Sequence, residues 1–142
     1  MTEHERRPSA GLIFDLDGTL IDTLEDLTDS MNEVFDREGL PSVSLSRTRT
    51  IIGEGLRNLI QRASGVEDED HLADLVEQYR AVYHTRMLRK TRVYPGIAEM
   101  LTALARLGVP MAVLSNKSDE FTVPICAACW LPGHSRRSAA RA

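Results

Sequence analysis

The sequence lacks the features that mark several specialised classes of protein. It has no apolar run of about 18 residues, the length that a membrane-spanning helix requires, and its N-terminal stretch MTEHERRPSAG lacks the apolar segment of a signal peptide. Two cysteines, Cys126 and Cys129, do not make a disulfide framework. A formal net charge of -4 gives no indication of the basic face that nucleic-acid binding usually needs. We therefore expect a cytoplasmic protein that binds neither membranes nor nucleic acid.

What is present suits an ordinary globular protein with a buried sheet. The 142 residues are enough for one domain or for a small fold made of two units, and 42% of them are hydrophobic. Two short apolar runs, residues 10–14 and 109–114, predict buried strands. A helix that follows Pro95 and stops at Gly108 lies between them, so the two strands should run parallel.

The segment between the first strand and Pro95 predicts only helices. Asp22 and Glu25 are spaced as a capping box for a first helix. Two short helices should flank residues 53–55, and a longer helix should begin within residues 67–71. From about Phe121 no further strand is predicted. The last eleven residues have the Arg, Ala and Ser content of a disordered tail.

Both predicted strands end in polar residues, and ligands gather at the carboxyl ends of parallel strands. Asp15 follows the first strand and can attack phosphorus to form an aspartyl-phosphate. Asp17 points the same way along an extended chain and is placed to act as general acid and base. Because nucleophile and phosphate are both anionic, Mg²⁺ held by Asp15 and Asp17 is the expected cofactor.

Four further residues are candidates for binding the phosphate. Gly18 lets the chain turn sharply, and backbone N–H groups near Gly18 and Thr19 can hold phosphate oxygens. Ser115, at the end of the second strand, can donate a hydroxyl hydrogen bond to the same phosphate. Asn116 can position a neighbour or the substrate. Other interpretations of these motifs are a solvated turn for the two aspartates and a helix cap for Ser115 and Asn116.

Residues 14–20, FDLDGTL, resemble the first motif of the haloacid dehalogenase-like hydrolase superfamily, in the form found in its phosphatases. Residues 10–123 are similar to members of the phosphoglycolate phosphatase type, including the YPG helix start and the second motif VLSNK at residues 113–117. Residues 53–57, GEGLR, resemble the substrate-facing loop of the family's cap. The resemblance implies a Mg²⁺-dependent phosphomonoesterase with Asp15 as nucleophile, Asp17 as acid and base, and Ser115 as phosphate ligand.

The resemblance also implies two motifs that this sequence does not contain. The family has a later lysine that pairs with the nucleophile and an acidic pair that completes the Mg²⁺ site. Here no lysine follows Lys117 and no acid follows Glu120. Lys117 is the available substitute for the lysine. We expect a truncated or frame-shifted member of the family, with the change near residues 121–130 and with impaired activity.

The expected fold class is α/β: a partial Rossmann-like parallel core with two strands present and an inserted α-helical cap. Residues 1–21 and 91–123 would form the core, residues 22–90 the cap, and residues 124–142 a disordered or out-of-frame tail. A sheet of two strands should also leave apolar edges and faces exposed.

The expected function is hydrolysis of a small phosphorylated metabolite such as 2-phosphoglycolate. Alternatives are a β-phosphoglucomutase-like or pyrophosphatase-like phosphotransfer enzyme, or a non-catalytic remnant. A structural zinc site needs four ligands, and Cys126, Cys129 and His134 would supply only three. The preferred interpretation of the cysteine pair is therefore two half-buried thiols on a helix. His71 and His84 are expected at the surface, among charged residues.

Overall fold

A computed structural model describes residues 10–129 and the short strand at residues 138–140. The chain forms an α/β fold, as the sequence predicts. In chain order its elements are β1 (Leu12–Phe14), β2 (Ile21–Asp22), α1 (Leu24–Arg37), α2 (Leu45–Ile51), α3 (Leu56–Ser64), α4 (Glu69–Arg86), β3 (Arg92–Val93), α5 (Ile97–Arg106), β4 (Met111–Ser115), α6 (Asp119–Cys129) and β5 (Ser138–Ala140). Within the described ranges, no helix is long and apolar enough to cross a membrane.

The main sheet has the strand order β1-β4-β5, and both pairs are parallel. Leu12 lies opposite Met111 and Phe14 opposite Val113, which confirms the predicted parallel core. The sheet has a third strand where the sequence predicted two. That strand, β5, reads Ser-Ala-Ala and lacks the β-branched and aromatic residues by which a strand is identified from sequence.

Helix α6 extends into the segment that was expected to be a tail. It continues through Cys129, and within it Ile125 and Cys126 are buried. The prediction of disorder was therefore wrong for residues 124–129, because these apolar side chains pack into the core. Residues 130–137 and 141–142 lie outside the described residues, and an out-of-frame end stays a prediction.

Helices α1 to α4 form a helical insertion between β2 and β3. These two short strands connect the insertion to the rest of the fold and pair antiparallel, with Ile21 opposite Val93, so the insertion begins and ends at the same place. The Tyr94 N–H also donates to the Leu20 carbonyl at 3.1 Å. The insertion falls within residues 22–90, for which the sequence predicted a separate cap. That division into cap and core remains a prediction.

Asp26, in the first turn of α1, fastens the second connecting segment to the first helix. Its side chain is almost completely buried. The carboxylate accepts hydrogen bonds from the Lys90 N–H, from the Thr91 N–H at 2.8 Å and from the Thr91 hydroxyl at 2.9 Å. A buried carboxylate is tolerated where such donors replace the lost water. Asp26 thus joins the first helix of the insertion to the segment that leaves it.

Helix α1 begins differently from the predicted capping box. Its N-cap is Thr23 rather than Asp22, and no side chain caps it in the usual way. The Thr23 hydroxyl instead donates to Asp17 Oδ1 at 2.7 Å, while Asp22 Oδ1 accepts from the Leu24 N–H at 3.2 Å. The residue that would cap the helix is therefore used to orient a side chain of the candidate site.

Most of the apolar core lies in the helical insertion, where α1 packs against α4. Fully buried side chains on the facing surfaces are Met31, Val34, Phe35, Leu72, Leu75, Tyr79 and Tyr83. The sheet is less well covered, since Ile13 is 72% exposed and Leu114 is 44% exposed. This confirms the expectation that a small sheet would leave apolar residues in contact with solvent.

Candidate active site

The two polar strand ends open into one cavity of about 230 Å³. Asp15 follows β1 directly and Ser115 is the last residue of β4, so the parallel register brings both to the same edge of the sheet. The other side of the cavity is formed by the helical insertion. The lining residues are Asp15, Asp17, Leu27, Ile52, Gly53, Gly55, Leu56, Leu59, Tyr79, Tyr83, Ser115, Asn116, Lys117, Ser118 and Phe121. The structure therefore brings together four predicted site residues: both aspartates, Ser115 and Asn116.

Gly18 and Thr19 form the turn after the two aspartates and do not line the cavity. Gly18 has φ +77°, a conformation that a side chain would strain. Its N–H donates to the Ile21 carbonyl at 2.9 Å, and the Thr19 N–H donates to the Leu16 carbonyl at 3.2 Å. Both donors are thus used inside the turn in this conformation. A contact between them and phosphate stays a prediction and requires these bonds to open.

Asp17 is held by two donors from different parts of the chain. Its Oδ1 accepts from the Thr23 hydroxyl at 2.7 Å and lies 3.2 Å from Lys117 Nζ. The side chains of Lys117 and Asp17 are only 8% and 15% exposed, so solvent screens this ion pair weakly. Asp15 differs, because it is exposed and its Oδ1 accepts from the N–H of the adjacent Leu16 at 2.8 Å. Asp15, the predicted nucleophile, is therefore accessible, whereas Asp17, the predicted general acid and base, is oriented by Thr23 and Lys117.

Lys117 connects the sheet edge with helix α4. Its ammonium group donates to the Tyr83 hydroxyl at 2.8 Å and lies 4.7 Å from the centroid of the Tyr83 ring. Burial lowers the pKa of Lys117, and the charge of Asp17 offsets part of that effect. Sequence reasoning considered Lys117 only as a substitute for a missing lysine. The available signal was its place at the end of VLSNK, directly after the second strand, because that strand end was predicted to meet the acidic motif of the first strand.

Asn116 makes a second connection between the sheet edge and the helical insertion. Its side-chain amide donates to the Gly53 carbonyl at 2.9 Å, in the loop between α2 and α3. Gly53, Gly55 and Leu56 line the cavity, as the resemblance of residues 53–57 to a substrate-facing loop predicts. Arg57 is exposed and pairs with Glu69 at 2.6 Å, so that side chain is engaged outside the cavity.

Tyr79 is a lining residue that sequence reasoning treated only as part of the buried face of α4. The residue is 1% exposed, and its hydroxyl has no hydrogen-bond partner within the part of the chain that the structure describes. Its ring stacks on Tyr83 with 5.4 Å between the centroids. Burial raises the pKa of Tyr79 well above its usual value, with smaller contributions from Tyr83 and Asp17. The phenol is therefore protonated at neutral pH and able to donate.

The donor set at the sheet edge suits Mg²⁺, which prefers oxygen ligands and is usually held by one or two carboxylates together with water and phosphate. Asp15 and Asp17 provide two carboxylates on one wall of the cavity. Across residues 10–129 and 138–140, no group of three or more His, Cys, Asp or Glu residues is arranged to hold a metal. Within that part of the chain, Asp15 and Asp17 are thus the carboxylates available to such an ion at the cavity.

The cysteines lie away from this chemistry. Cys126 is buried and Cys129 is half-buried, both are free thiols, and both lie on α6, as preferred from the sequence. Burial raises the pKa of Cys126 to about 11. His134, the third ligand of the rejected zinc site, lies outside the described residues. His71 and His84 are confirmed as largely surface groups, with side chains 41% and 47% exposed.

Comparison with known proteins finds one family and many relatives. The sequence profile of the family described as haloacid dehalogenase-like hydrolase matches residues 12–128. A phosphoglycolate phosphatase from Agrobacterium fabrum is 37% identical over 129 residues, which cover 88% of this chain and 54% of the relative. Another from Chromobacterium violaceum is 36% identical over 128 residues, covering 85% of this chain and 57% of the relative.

The fold also resembles that of a solved structure. The crystal structure of a predicted phosphoglycolate phosphatase from Haemophilus somnus superposes with a TM-score of 0.84 at 31% identity, covering 92% of this chain and 61% of that one. The chain therefore spans about half to three-fifths of the length of the relatives that it matches.

Proposed function

Because the chain belongs to the haloacid dehalogenase-like hydrolase family, we propose that its cavity hydrolyses a small phosphomonoester such as 2-phosphoglycolate. The observation that carries the proposal is the meeting of Asp15, Asp17 and Ser115 at one edge of the parallel sheet, inside one cavity. The names of the relatives support this choice of substrate, since two of them are phosphoglycolate phosphatases that share more than a third of their aligned residues with this chain.

In the proposed first step, a carboxylate oxygen of Asp15 attacks phosphorus and the bond from phosphorus to the ester oxygen breaks. Asp17, protonated at this stage, gives its proton to the leaving alcohol oxygen. The Ser115 hydroxyl accepts from the Lys117 N–H at 3.1 Å, so its own hydrogen remains free to donate to the phosphate. The step leaves an aspartyl-phosphate on Asp15 and a carboxylate on Asp17.

In the second step, Asp17 takes a proton from a water molecule whose oxygen attacks the phosphorus of the intermediate. The bond from phosphorus to Asp15 breaks, which releases inorganic phosphate and restores the proton on Asp17. Asp15 and Asp17 would hold Mg²⁺, which when bound offsets the negative charge shared by the carboxylates and the phosphate. We further propose that Lys117, 3.2 Å from Asp17, adds positive charge at this edge.

Release of phosphate from 2-phosphoglycolate tests the proposal. The unmodified chain with Mg²⁺ should release phosphate, and Asp15→Asn should abolish release because the nucleophile is lost. Asp36→Asn is the matched control, since Asp36 is an exposed carboxylate on α1 outside the cavity and its replacement should leave the rate unchanged. Omitting Mg²⁺ and adding a chelator should also abolish release.

The two alternative functions predict different results in the same assay. A phosphotransfer enzyme would release phosphate from 2-phosphoglycolate slowly and would pass it to a sugar phosphate or act on pyrophosphate. A non-catalytic remnant would release no phosphate from any of these compounds, whether or not Asp15 is replaced. That result would reject the proposed activity.

A further inference from the structure

Tyr83, on helix α4 of the helical insertion, is held in a fixed position at the cavity. It is fully buried, its ring stacks on Tyr79 with 5.4 Å between the centroids, and it packs edge-on against Phe121 at 4.9 Å. A side chain packed in this way has little freedom to move. Its hydroxyl accepts a hydrogen bond from Lys117 at 2.8 Å. Helix α4 thus supplies a rigid acceptor to a lysine that follows the sheet.

Lys117 depends on such contacts, because its side chain is a flexible four-carbon stem that ends in an ammonium group with three donors. Tyr83 contacts this ammonium group twice, through the hydrogen bond to its hydroxyl and through its ring, whose centroid lies 4.7 Å from Nζ. The ammonium also lies 3.2 Å from Asp17 Oδ1. The Lys117 side chain is only 8% exposed, so water has little access to replace these contacts. Tyr83 therefore helps to determine where the positive charge lies beside Asp17.

Two side-chain contacts orient Asp17, and both fall on the same oxygen atom. Oδ1 accepts from the Thr23 hydroxyl at 2.7 Å and lies 3.2 Å from Lys117 Nζ. A carboxylate fixed through one oxygen presents the other in a defined direction, so Oδ2 is the oxygen left to carry and transfer a proton. If the ammonium moved away, the hydrogen bond from Thr23 alone would allow the carboxylate to rotate.

We propose that Tyr83 is a positioning residue, which holds the Lys117 ammonium against Oδ1 of Asp17 and so keeps Oδ2 aligned for proton transfer. The inference rests on the proposed function, in which Asp17 is the general acid and base. Tyr83 itself transfers no proton and acts only through Lys117. Because Tyr83 belongs to the helical insertion and Asp17 follows β1, the position of the insertion becomes part of the alignment of the acid and base.

Two small substrates with different leaving groups test the proposal. Glycolate needs a proton from Asp17 to leave 2-phosphoglycolate, whereas acetate leaves acetyl phosphate as a stable anion. We expect Tyr83→Phe, which keeps the ring and removes the hydroxyl, to lower kcat/KM for 2-phosphoglycolate about 10-fold, the effect of losing one hydrogen bond to a charged group. The value for acetyl phosphate, measured with Mg²⁺ and corrected for spontaneous hydrolysis, should be unchanged, which also shows that the variant is folded.

Tyr94→Phe is the matched control, because it makes the same change at a tyrosine outside the cavity and should leave both values of kcat/KM unchanged. A merely structural role of the Tyr83 hydroxyl would lower kcat/KM for both substrates alike. An equal loss for 2-phosphoglycolate and acetyl phosphate in Tyr83→Phe, or no loss for either, would overturn the proposal.

The double variant Lys117→Met/Tyr83→Phe shows whether Tyr83 acts through Lys117. Once Lys117→Met has removed the ammonium, the Tyr83 hydroxyl has no charge left to position. Adding Tyr83→Phe should then leave kcat/KM for 2-phosphoglycolate at the value of Lys117→Met alone. A further loss as large as that of Tyr83→Phe by itself would mean that the two residues act independently, and would overturn the proposal.

Carbon-13 NMR of the Asp17 carboxyl group provides a measurement that does not depend on catalysis. The signal is assigned by its change in Asp17→Asn, and Tyr83→Phe should shift it in the same direction as Lys117→Met. Such a shift in a chain that releases no phosphate from either substrate would support the role of Tyr83 and reject hydrolysis. An unchanged signal in Tyr83→Phe would overturn the role of Tyr83, whether or not the chain releases phosphate.

Discussion

Asp26 offers a sharp test of how the helical insertion is held. In Asp26→Ala, the Thr91 N–H and the Thr91 hydroxyl lose a buried acceptor, while the Lys90 N–H lies at an exposed residue that water can reach. Losing hydrogen bonds to a buried carboxylate and leaving donors unsatisfied should lower the free energy of unfolding by about 3 kcal/mol. With an unfolding entropy of about 2.1 cal/mol/K per residue, this corresponds to a fall of about 10 °C in melting temperature.

Thermal unfolding followed by circular dichroism measures this effect, and Asp29→Ala provides the control. Asp29 lies one turn further along α1 and also contacts Lys90, but through an ion pair at 2.7 Å in which the two side chains are 51% and 35% exposed. Such a pair contributes about 0–1 kcal/mol, so Asp29→Ala should change the melting temperature by a few degrees at most. If the two variants unfold at the same temperature, the buried hydrogen bonds of Asp26 do not stabilise the fold as argued.

Three further predictions concern the cavity and α6. Ser115→Ala should lower the rate of phosphate release about 100-fold, because one preorganised donor to the phosphate is lost; an unchanged rate would exclude Ser115 as a phosphate ligand. Lys117→Met should lower kcat/KM at least about 10-fold, the expected loss for a charge-assisted contact to Asp17, whereas retained activity would mean that Thr23 alone orients that carboxylate. Because the pKa of Cys126 is raised to about 11, its thiol is protonated at neutral pH, and its alkylation in Cys129→Ser should speed up with pH until about pH 11. A plateau near the ordinary thiol pKa would contradict its burial.

The sequence was sufficient to predict the elements whose signals are local. The apolar runs before Asp15 and Ser115 are strands, and the parallel register brings those residues to one cavity. The glycines at 53 and 55 separate two helices as expected, and Gly65 ends the second in a left-handed conformation. Each of these strands and helices is marked by residues close together in the chain, and the parallel pairing of the two strands follows from the helix that lies between them.

What the sequence did not predict depends on pairs that are far apart in the chain. Tyr83 reads as one more apolar position on α4, and only the fold places its hydroxyl against Lys117, 34 residues away. Asp26 reads as an acidic residue in a first helical turn, a common surface position, yet it is buried and accepts hydrogen bonds from Thr91, 65 residues away. The two-residue strands β2 and β3 are too short to produce a period-2 pattern.

The pairing of β2 with β3 also has a consequence for the order of folding. Ile21 and Val93 are separated by about 70 residues, and closing an unstructured loop of that length costs roughly 4 kcal/mol of chain entropy. The contacts within α1 to α4 join nearer neighbours in the chain and bring the two ends of the insertion together. Loop closure then costs little, so we infer that the helices form before the parallel strands meet. On this pathway the cavity appears last, when β1 and β4 join around an insertion that is already folded.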